Sequence, residues 1–195
     1  MKNYSKTAFG TLLIGSAILT ASCSNDSTTA VPTKPSLYAR LGGTKMVQDP
    51  NNKSQMIEQG RLSYRSVVDT TITLIVKDIV VGNSGNFAPH FAPLLAEVGA
   101  GNTTKVAKLS KNLTDFFSAN TGGEATNTYY GLDMVTAHDP AKNPRMGIKA
   151  SSTDYDRFEN FVGQAAAKNG VTDQTIINDV VAVLESLRSP IVQVK

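Results

Sequence analysis

The segment from Val106 to Phe117 has the clearest helical pattern in the chain. Its apolar residues recur at helical spacing and are Val106, Leu109, Leu113, Phe116 and Phe117. Thr103-Thr104 suits the start of such a helix, and Gly122-Gly123 supplies its stop. No other segment alternates cleanly enough to demand a sheet. The pattern therefore predicts an all-α fold.

The first 22 residues have the layout of a signal peptide. Lys2 and Lys6 form a basic start, Ala8 to Ala21 is an apolar run too short to span a bilayer comfortably, and small residues precede Cys23. This resembles a bacterial lipoprotein signal and implies lipidation at Cys23, although Thr20 stands where that family usually has Leu. The alternative is an ordinary secretory signal cut nearby, which would leave Cys23 unpaired.

Removal of residues 1–22 would take away two lysines and no acid, so the formal charge would fall from +3 to +1. A nearly neutral chain gives no argument for nucleic acid as a partner. Since Cys23 is the only cysteine, a disulfide framework is excluded. Residues 23–35 are rich in Ser, Thr, Pro and Ala and predict a flexible tether. The remaining residues, 36–195, suffice for one domain.

Around the central helix, five further helical segments are predicted. They span 36–43, 61–81, 132–137, 153 up to Asn169-Gly170, and 172–187. The 61–81 segment also has strand propensity but is long for one strand. Thr153 and Asp156 suggest a capping box, and Pro190 is expected just past the last helix. Residues 44–60 and 82–93 are predicted to be loops, and 139–151 a basic loop.

The low histidine and cysteine counts limit the kinds of metal site that the chain can form. His90 and His138 are the only histidines, so a zinc or iron–sulfur site with several protein ligands is nearly excluded. A haem iron held by a single axial imidazole in an apolar pocket remains possible. The competing interpretation of His138 is a helix-end histidine bonded to a backbone carbonyl. His138-Asp139 has no activated nucleophile beside it, so nothing indicates a hydrolase or a transferase.

Three motifs together resemble the truncated haemoglobins, the short bacterial globins. They are SLYARLGG at 36–43, LTDFFSANTGG at 113–123 and MVTAH at 134–138. The resemblance covers roughly residues 36–194. It implies a truncated 2-over-2 helical sandwich with insertions at about 44–60 and 139–151, and it places His138 at the iron ligand.

The same resemblance implies further haem contacts. Phe91, with Phe87 as its competitor, falls at the haem-packing phenylalanine, and the expected distal and apolar contacts are Ile72, Leu109, Leu113 and Phe116. The family commonly has tyrosine at the place of Ile72, so a donor that would hold oxygen is missing. Weak oxygen storage is expected unless Ser110, Asn112 or His90 supplies that donor.

These observations predict an exported haem lipoprotein of the bacterial cell envelope. It would bind a diatomic gas or take part in redox, peroxide or nitric oxide chemistry, with an electron-transfer partner and with the membrane reached through Cys23. The basic side chains of 139–151 are expected to be solvated, or else to pair with haem propionates or an anionic partner. The alternative function is a haem-free, globin-like interaction or sensor domain.

Overall fold

The computed structural model describes residues 33–194, so the predicted signal peptide, Cys23 and most of the predicted tether lie outside the described residues. The described chain is mostly helical, which confirms the helical prediction. Its elements are α1 Leu37–Arg40, β1 Met46–Asp49, β2 Asn52–Glu58, α2 Gln59–Val81, α3 Ala92–Gly99, α4 Thr104–Ser118, a π-helical turn Ala119–Gly123, α5 Met134–Ala137, α6 Ser152–Lys168 and α7 Gln174–Ile191.

Residues 44–60 correct the all-α prediction, because they contain a hairpin rather than a loop. Strands β1 and β2 pair antiparallel, with Val47 opposite Ile57. The backbone N–H of Asn51 donates to Asp49 Oδ1 at 2.8 Å, which closes the turn, and Arg65 of α2 donates to both Asp49 oxygens at 2.6 and 2.8 Å. The fold is therefore α-rich with one small sheet.

Helix α2 is the long central element and contacts both α4 and α6. The prediction of a helix here is confirmed despite the β-branched residues. Thr70, Thr71 and Thr73 each donate their hydroxyl to the carbonyl four residues earlier, at 2.8 Å. These bonds satisfy the threonine hydroxyls within the helix, so strand propensity does not decide the structure.

The ends of α6 and α7 differ from the sequence prediction. The capping box of α6 is formed by Ser151 and Asp154, not by Thr153 and Asp156, because the helix begins at Ser152. Helix α7 begins two residues later than predicted and continues through Pro190 to Ile191. A proline in the last turn removes only one backbone bond, and Ile191 is buried.

Helix α3 overlaps the end of the predicted 82–93 loop, at Pro93. Pro93 lies in the first turn of α3, where a proline is tolerated since those N–H groups have no partner in the helix. Within residues 33–194, no helix is both long and apolar enough to cross a membrane.

The described core contains two apolar clusters. In one, Ile75, Phe87 and Phe161 pack together, and the Phe87 and Phe161 ring centres lie 6.0 Å apart. In the other, Ala150, Tyr155 and Ile191 join α6 to α7. The first cluster thereby fixes the segment before α3 against α2 and α6.

The glycine pair after α4 allows the motifs at 36–43 and 113–123 to contact each other. Gly122 has φ +103°, and a Cβ there would lie 2.3 Å from Ser36 Cβ. A Cβ on Gly123 would lie 2.9 Å from the Tyr38 ring. Only glycine permits this approach, so the Gly-Gly break brings the end of α4 against α1.

Candidate functional site

His138 lies at the C-terminal end of α5, a helix capped by the Asp133 side chain. Its Nδ1 lies 2.9 Å from the carbonyl oxygen of Met134. Because a carbonyl only accepts, Nδ1 carries the proton, and the neutral ring therefore has its lone pair on Nε2. Burial lowers the pKa of His138, the Met134 carbonyl opposes this shift, and neighbouring His90 lowers the pKa further. A neutral imidazole whose N–H is fixed by a carbonyl is the usual form of a metal-binding histidine.

His90 has a structural environment. It is 4% exposed, its Nε2 lies 3.4 Å from Asp154 Oδ1, and its carbonyl accepts from the Gly147 N–H at 2.8 Å. The ring centre lies 5.6 Å from that of Phe87. His90 therefore ties the segment before α3 to the loop 139–151 and to α6. It could swing towards a ligand only if these contacts broke.

Helix α4 buries polar residues and leaves apolar ones partly exposed. Thr114, Asp115 and Ser118 are buried. The half-buried residues are Leu109, Leu113, Phe116 and Phe117. Asp115 is compensated because Arg61 Nη2 and Lys111 Nζ each donate to it at 2.5 Å. The apolar stripe that predicts this helix is thus not fully covered by the described chain.

A cavity of about 820 Å³ lies between α2 and α4 and is bordered by α3. Ile72, Phe91 and Leu109 line it, so the structure brings these three predicted contacts together. Phe87 is buried in the core instead, and its ring centre lies 6.4 Å from that of Phe91. Of the two phenylalanines, Phe91 is therefore the one that faces the cavity.

The other predicted contacts lie elsewhere. Leu113 lines a second cavity of about 400 Å³ between α2, α4, α6 and α7. Phe116 packs edge-on against Phe117 and Tyr129, with ring centres 5.4 and 5.2 Å apart. Within the part of the chain that the structure describes, His138 is among the lining residues of neither cavity. The His90, Phe87 and Phe91 rings pack in a row, and Phe91 lines the larger cavity.

The larger cavity also has polar residues, of which only Ser110 was expected as a possible donor. Ser110 Oγ donates to Asp69 Oδ1 at 2.5 Å, and Arg61, Arg65 and Thr114 line the same end. Residues 61, 65, 69 and 72 are spaced three or four apart, so they share one face of α2. That spacing was the available signal, but it does not reveal which face the neighbouring helix covers.

Across residues 33–194, no cluster of three or more His, Cys, Asp or Glu side chains is placed to hold a metal ion. The donor that the described chain offers is the single Nε2 of His138. Such a donor suits a metal that arrives with ligands of its own. The chain matches no protein-family model, and no curated protein matches it.

Proposed function

We propose that this chain binds haem through His138 as a truncated-haemoglobin-like domain, held at the cell envelope by lipid on Cys23. The observation that carries the proposal is the His138 ring, whose Nδ1 donates to Met134 O and whose Nε2 is left as a ligand. Haem iron, when bound, would supply diatomic gas binding or electron transfer. The globin-type arrangement of the helices is part of the same proposal.

The larger cavity, which His138 does not line, has the apolar walls that a flat, mostly apolar group needs. Ile72, Phe91 and Leu109 offer apolar walls, and the stripe on α4 is incompletely covered. The larger cavity also falls within the usual range of ligand sites, about 300–1,000 Å³. A ligand against these residues would remove apolar surface from water, at roughly 25 cal/mol per Å².

Weak oxygen retention is part of the proposal. Ile72 and Leu109 carry no hydrogen-bond donor, the Ser110 hydroxyl gives its proton to Asp69, and the unpartnered Thr114 hydroxyl lines the cavity one turn further along α4. Oxygen needs a donor near its outer atom more than carbon monoxide or nitric oxide does, so the site favours redox or nitric oxide chemistry over storage.

Haem titration tests the central claim. The full chain should bind one equivalent of haemin with the absorption spectrum of an imidazole-ligated iron. His138→Ala should lose that spectrum, whereas the control His90→Gln should keep it. An unchanged spectrum and affinity in His138→Ala would refute His138 as the ligand.

Oxygen release tests the distal side. In the reduced, haem-loaded chain, Leu109→Gln would add a donor in the cavity. It should slow oxygen release by up to about tenfold, because a net hydrogen bond contributes about 0.5–1.5 kcal/mol. Slow release in the parent with no further slowing in the variant would mean that another donor already acts there.

A haem-free interaction domain is the second candidate, favoured by exposed apolar residues around α5. Tyr130, Leu132 and Val135 are all exposed on the segment that leads into and through that helix. The absence of any haem spectrum after the haemin titration would favour this function over the first.

The envelope location has its own test. Cys23→Ser should move the chain out of the membrane fraction or leave its signal uncleaved. Two acyl chains are needed for lasting attachment, and the cysteine is their predicted site. Fractionation identical to the parent would refute lipid anchoring whatever the outcome of the haem experiments.

A further inference from the structure

The smaller cavity, of about 400 Å³, lies between α2, α4, α6 and α7. It shares no lining residue with the larger one, so the two are separate sites within the described chain. Apolar side chains from all four helices form its walls, among them Leu62, Val68, Leu113, Phe158, Ile177 and Leu184. A well-packed core leaves few voids larger than a water molecule, so a space of this size is typical of a ligand site.

Small residues keep this space open. Ser63 and Ser66 of α2 and Gly163 and Ala166 of α6 line the cavity, where larger side chains would fill it. Gly163 is exposed, and a Cβ there would meet nothing within 4 Å. Val181 of α7 also lines the cavity and is 48% exposed. The cavity therefore opens to solvent between α6 and α7, where a small molecule can enter.

The hydroxyl groups of the cavity wall already have partners. Those of Ser63, Ser66 and Thr71 donate to backbone carbonyls at 2.8–3.0 Å. Among the described lining residues, the buried side-chain atom that has no hydrogen-bond partner is Glu159 Oε1. The apolar walls therefore meet one buried carboxylate oxygen that is still able to accept.

The charge around Glu159 is negative. Arg188 of α7 donates to Asp156, Glu159 and Glu185 at 2.7–2.8 Å. Three carboxylates thus share one guanidinium, and within residues 33–194 no other salt bridge reaches them. Burial raises the pKa of Glu159, as does the neighbouring Glu185 carboxylate, and Arg188 opposes this shift. An ammonium group beside Glu159 would supply the missing positive charge.

We propose that the smaller cavity binds a small apolar amine, with the ammonium group at Glu159 and the apolar body between α2, α6 and α7. An N–H of the ammonium group would donate to Glu159 Oε1, and the apolar body would lose its contact with water. His138 is not among the lining residues, so the proposal does not depend on haem ligation.

Calorimetric titration of the haem-free full chain at neutral pH tests the site. One equivalent of naphthalen-1-ylmethylamine, which is charged under these conditions, should bind. Naphthalen-1-ylmethanol has the same ring system with a hydroxyl in place of the ammonium group and should bind at least about tenfold more weakly. Binding of the alcohol as tight as that of the amine, or no binding of the amine, would overturn the proposal.

Glu159→Gln tests the position of the ammonium group. It keeps the side-chain length and removes the charge, so it should weaken amine binding by about three- to tenfold and leave alcohol binding unchanged. The matched control is Asp156→Asn, because Asp156 also accepts from Arg188 but lies outside the cavity lining. This control should change amine binding by less than about twofold. Equal losses in the two variants would refute a contact with Glu159.

Ala166→Leu tests the position of the apolar body. The leucine side chain would occupy part of the cavity, so the amine and the alcohol should both bind at least about tenfold more weakly. Ala167→Leu is the control, because Ala167 is an exposed residue of the same helix outside the lining, and it should leave both affinities unchanged. Unchanged amine binding in Ala166→Leu would place the amine elsewhere and overturn the proposal.

Ala166→Leu fills space that is already present, so it should melt no lower than the parent. If it unfolds instead, Glu159→Gln decides the proposal by itself. His138→Ala should bind the amine normally, and Glu159→Gln should bind haemin normally. A loss of one ligand with the other kept separates this proposal from the proposed function.

Discussion

Asn127 joins four parts of the fold through one buried amide. It is 5% exposed, and its Nδ2 lies 2.9–3.1 Å from Tyr38 Oη, Glu58 Oε2 and the Gly123 carbonyl, so its two N–H groups are shared among three acceptors. Its Oδ1 accepts from Arg61 Nη1 at 3.0 Å. These contacts hold α1, β2, α2 and the turn after α4 together, so Asn127 should contribute strongly to stability.

The size of that contribution follows from the charged partners. Bonds to charged groups such as Glu58 and Arg61 contribute about 1.5–3 kcal/mol each, and neutral ones about 1 kcal/mol. Glu58 keeps its bonds to Tyr38 and Thr126, and Arg61 keeps Asp115, so part of the loss is recovered. Asn127→Ala should therefore lower the free energy of unfolding by about 2–4 kcal/mol.

Urea and thermal unfolding of the full chain, both followed by circular dichroism, measure this change. The melting temperature should fall by about 4–16 °C, at about 2–4 °C per kcal/mol for a domain of this size. Asn120→Ala is the matched control, because Asn120 is exposed and makes one bond, to Phe116 O at 2.8 Å. It should change stability by less than about 0.5 kcal/mol. Equal effects of the two substitutions would refute the reasoning.

Three further predictions test other parts of the fold by urea unfolding. Tyr155→Phe should cost about 1–2 kcal/mol, because the buried hydroxyl donates to a carbonyl of α7 at 2.5 Å; no loss would contradict this. Gly147→Ala should be destabilising, because its Cβ would lie 1.8 Å from a backbone oxygen before α3. Gly163 of α6 has open space around it, so Gly163→Ala should raise the free energy of unfolding by roughly 0.5–1 kcal/mol. Asp49→Asn should cost stability at pH 7, because Arg65 lowers the pKa of Asp49. That contribution is present above the unfolded pKa near 3.9 and is lost as pH falls below it, so parent and variant should converge in acid.

Local periodicity was sufficient to predict the long helices, because each carries its own apolar face. It was insufficient for the hairpin at 44–60. Ile57 is its only buried apolar residue, so alternation along β2 is too weak to detect. The turn is instead fixed by Arg65 on Asp49, a contact across 16 residues of chain. Contacts of that kind follow from the packing of α2 and cannot be derived from a pattern within the strand.

The candidate site could be predicted only in part for a similar reason. Spacing places Leu109 and Leu113 on one face of α4, but α2 presents Ile72 to the larger cavity and Val68 to the smaller one. Successive turns of α4 therefore face different cavities. The hydrogen bond that commits the Ser110 proton to Asp69 likewise depends on how the two helices cross.

The burial of α4 is the clearest physical support for the proposal that this chain binds a ligand. An amphipathic helix in a self-sufficient domain buries its apolar stripe, because each buried methylene contributes about 0.8 kcal/mol. Here Thr114 and Ser118 occupy the most buried positions with hydroxyls that lack partners in the described chain, while Leu109 and Leu113 remain partly exposed. A domain without a ligand would gain stability from the opposite arrangement. Without a ligand, this helix therefore contributes less stability than the opposite arrangement would. A group that covers the stripe or accepts a hydrogen bond from Thr114 would restore that stability. Binding of such a ligand should therefore raise the melting temperature of this chain.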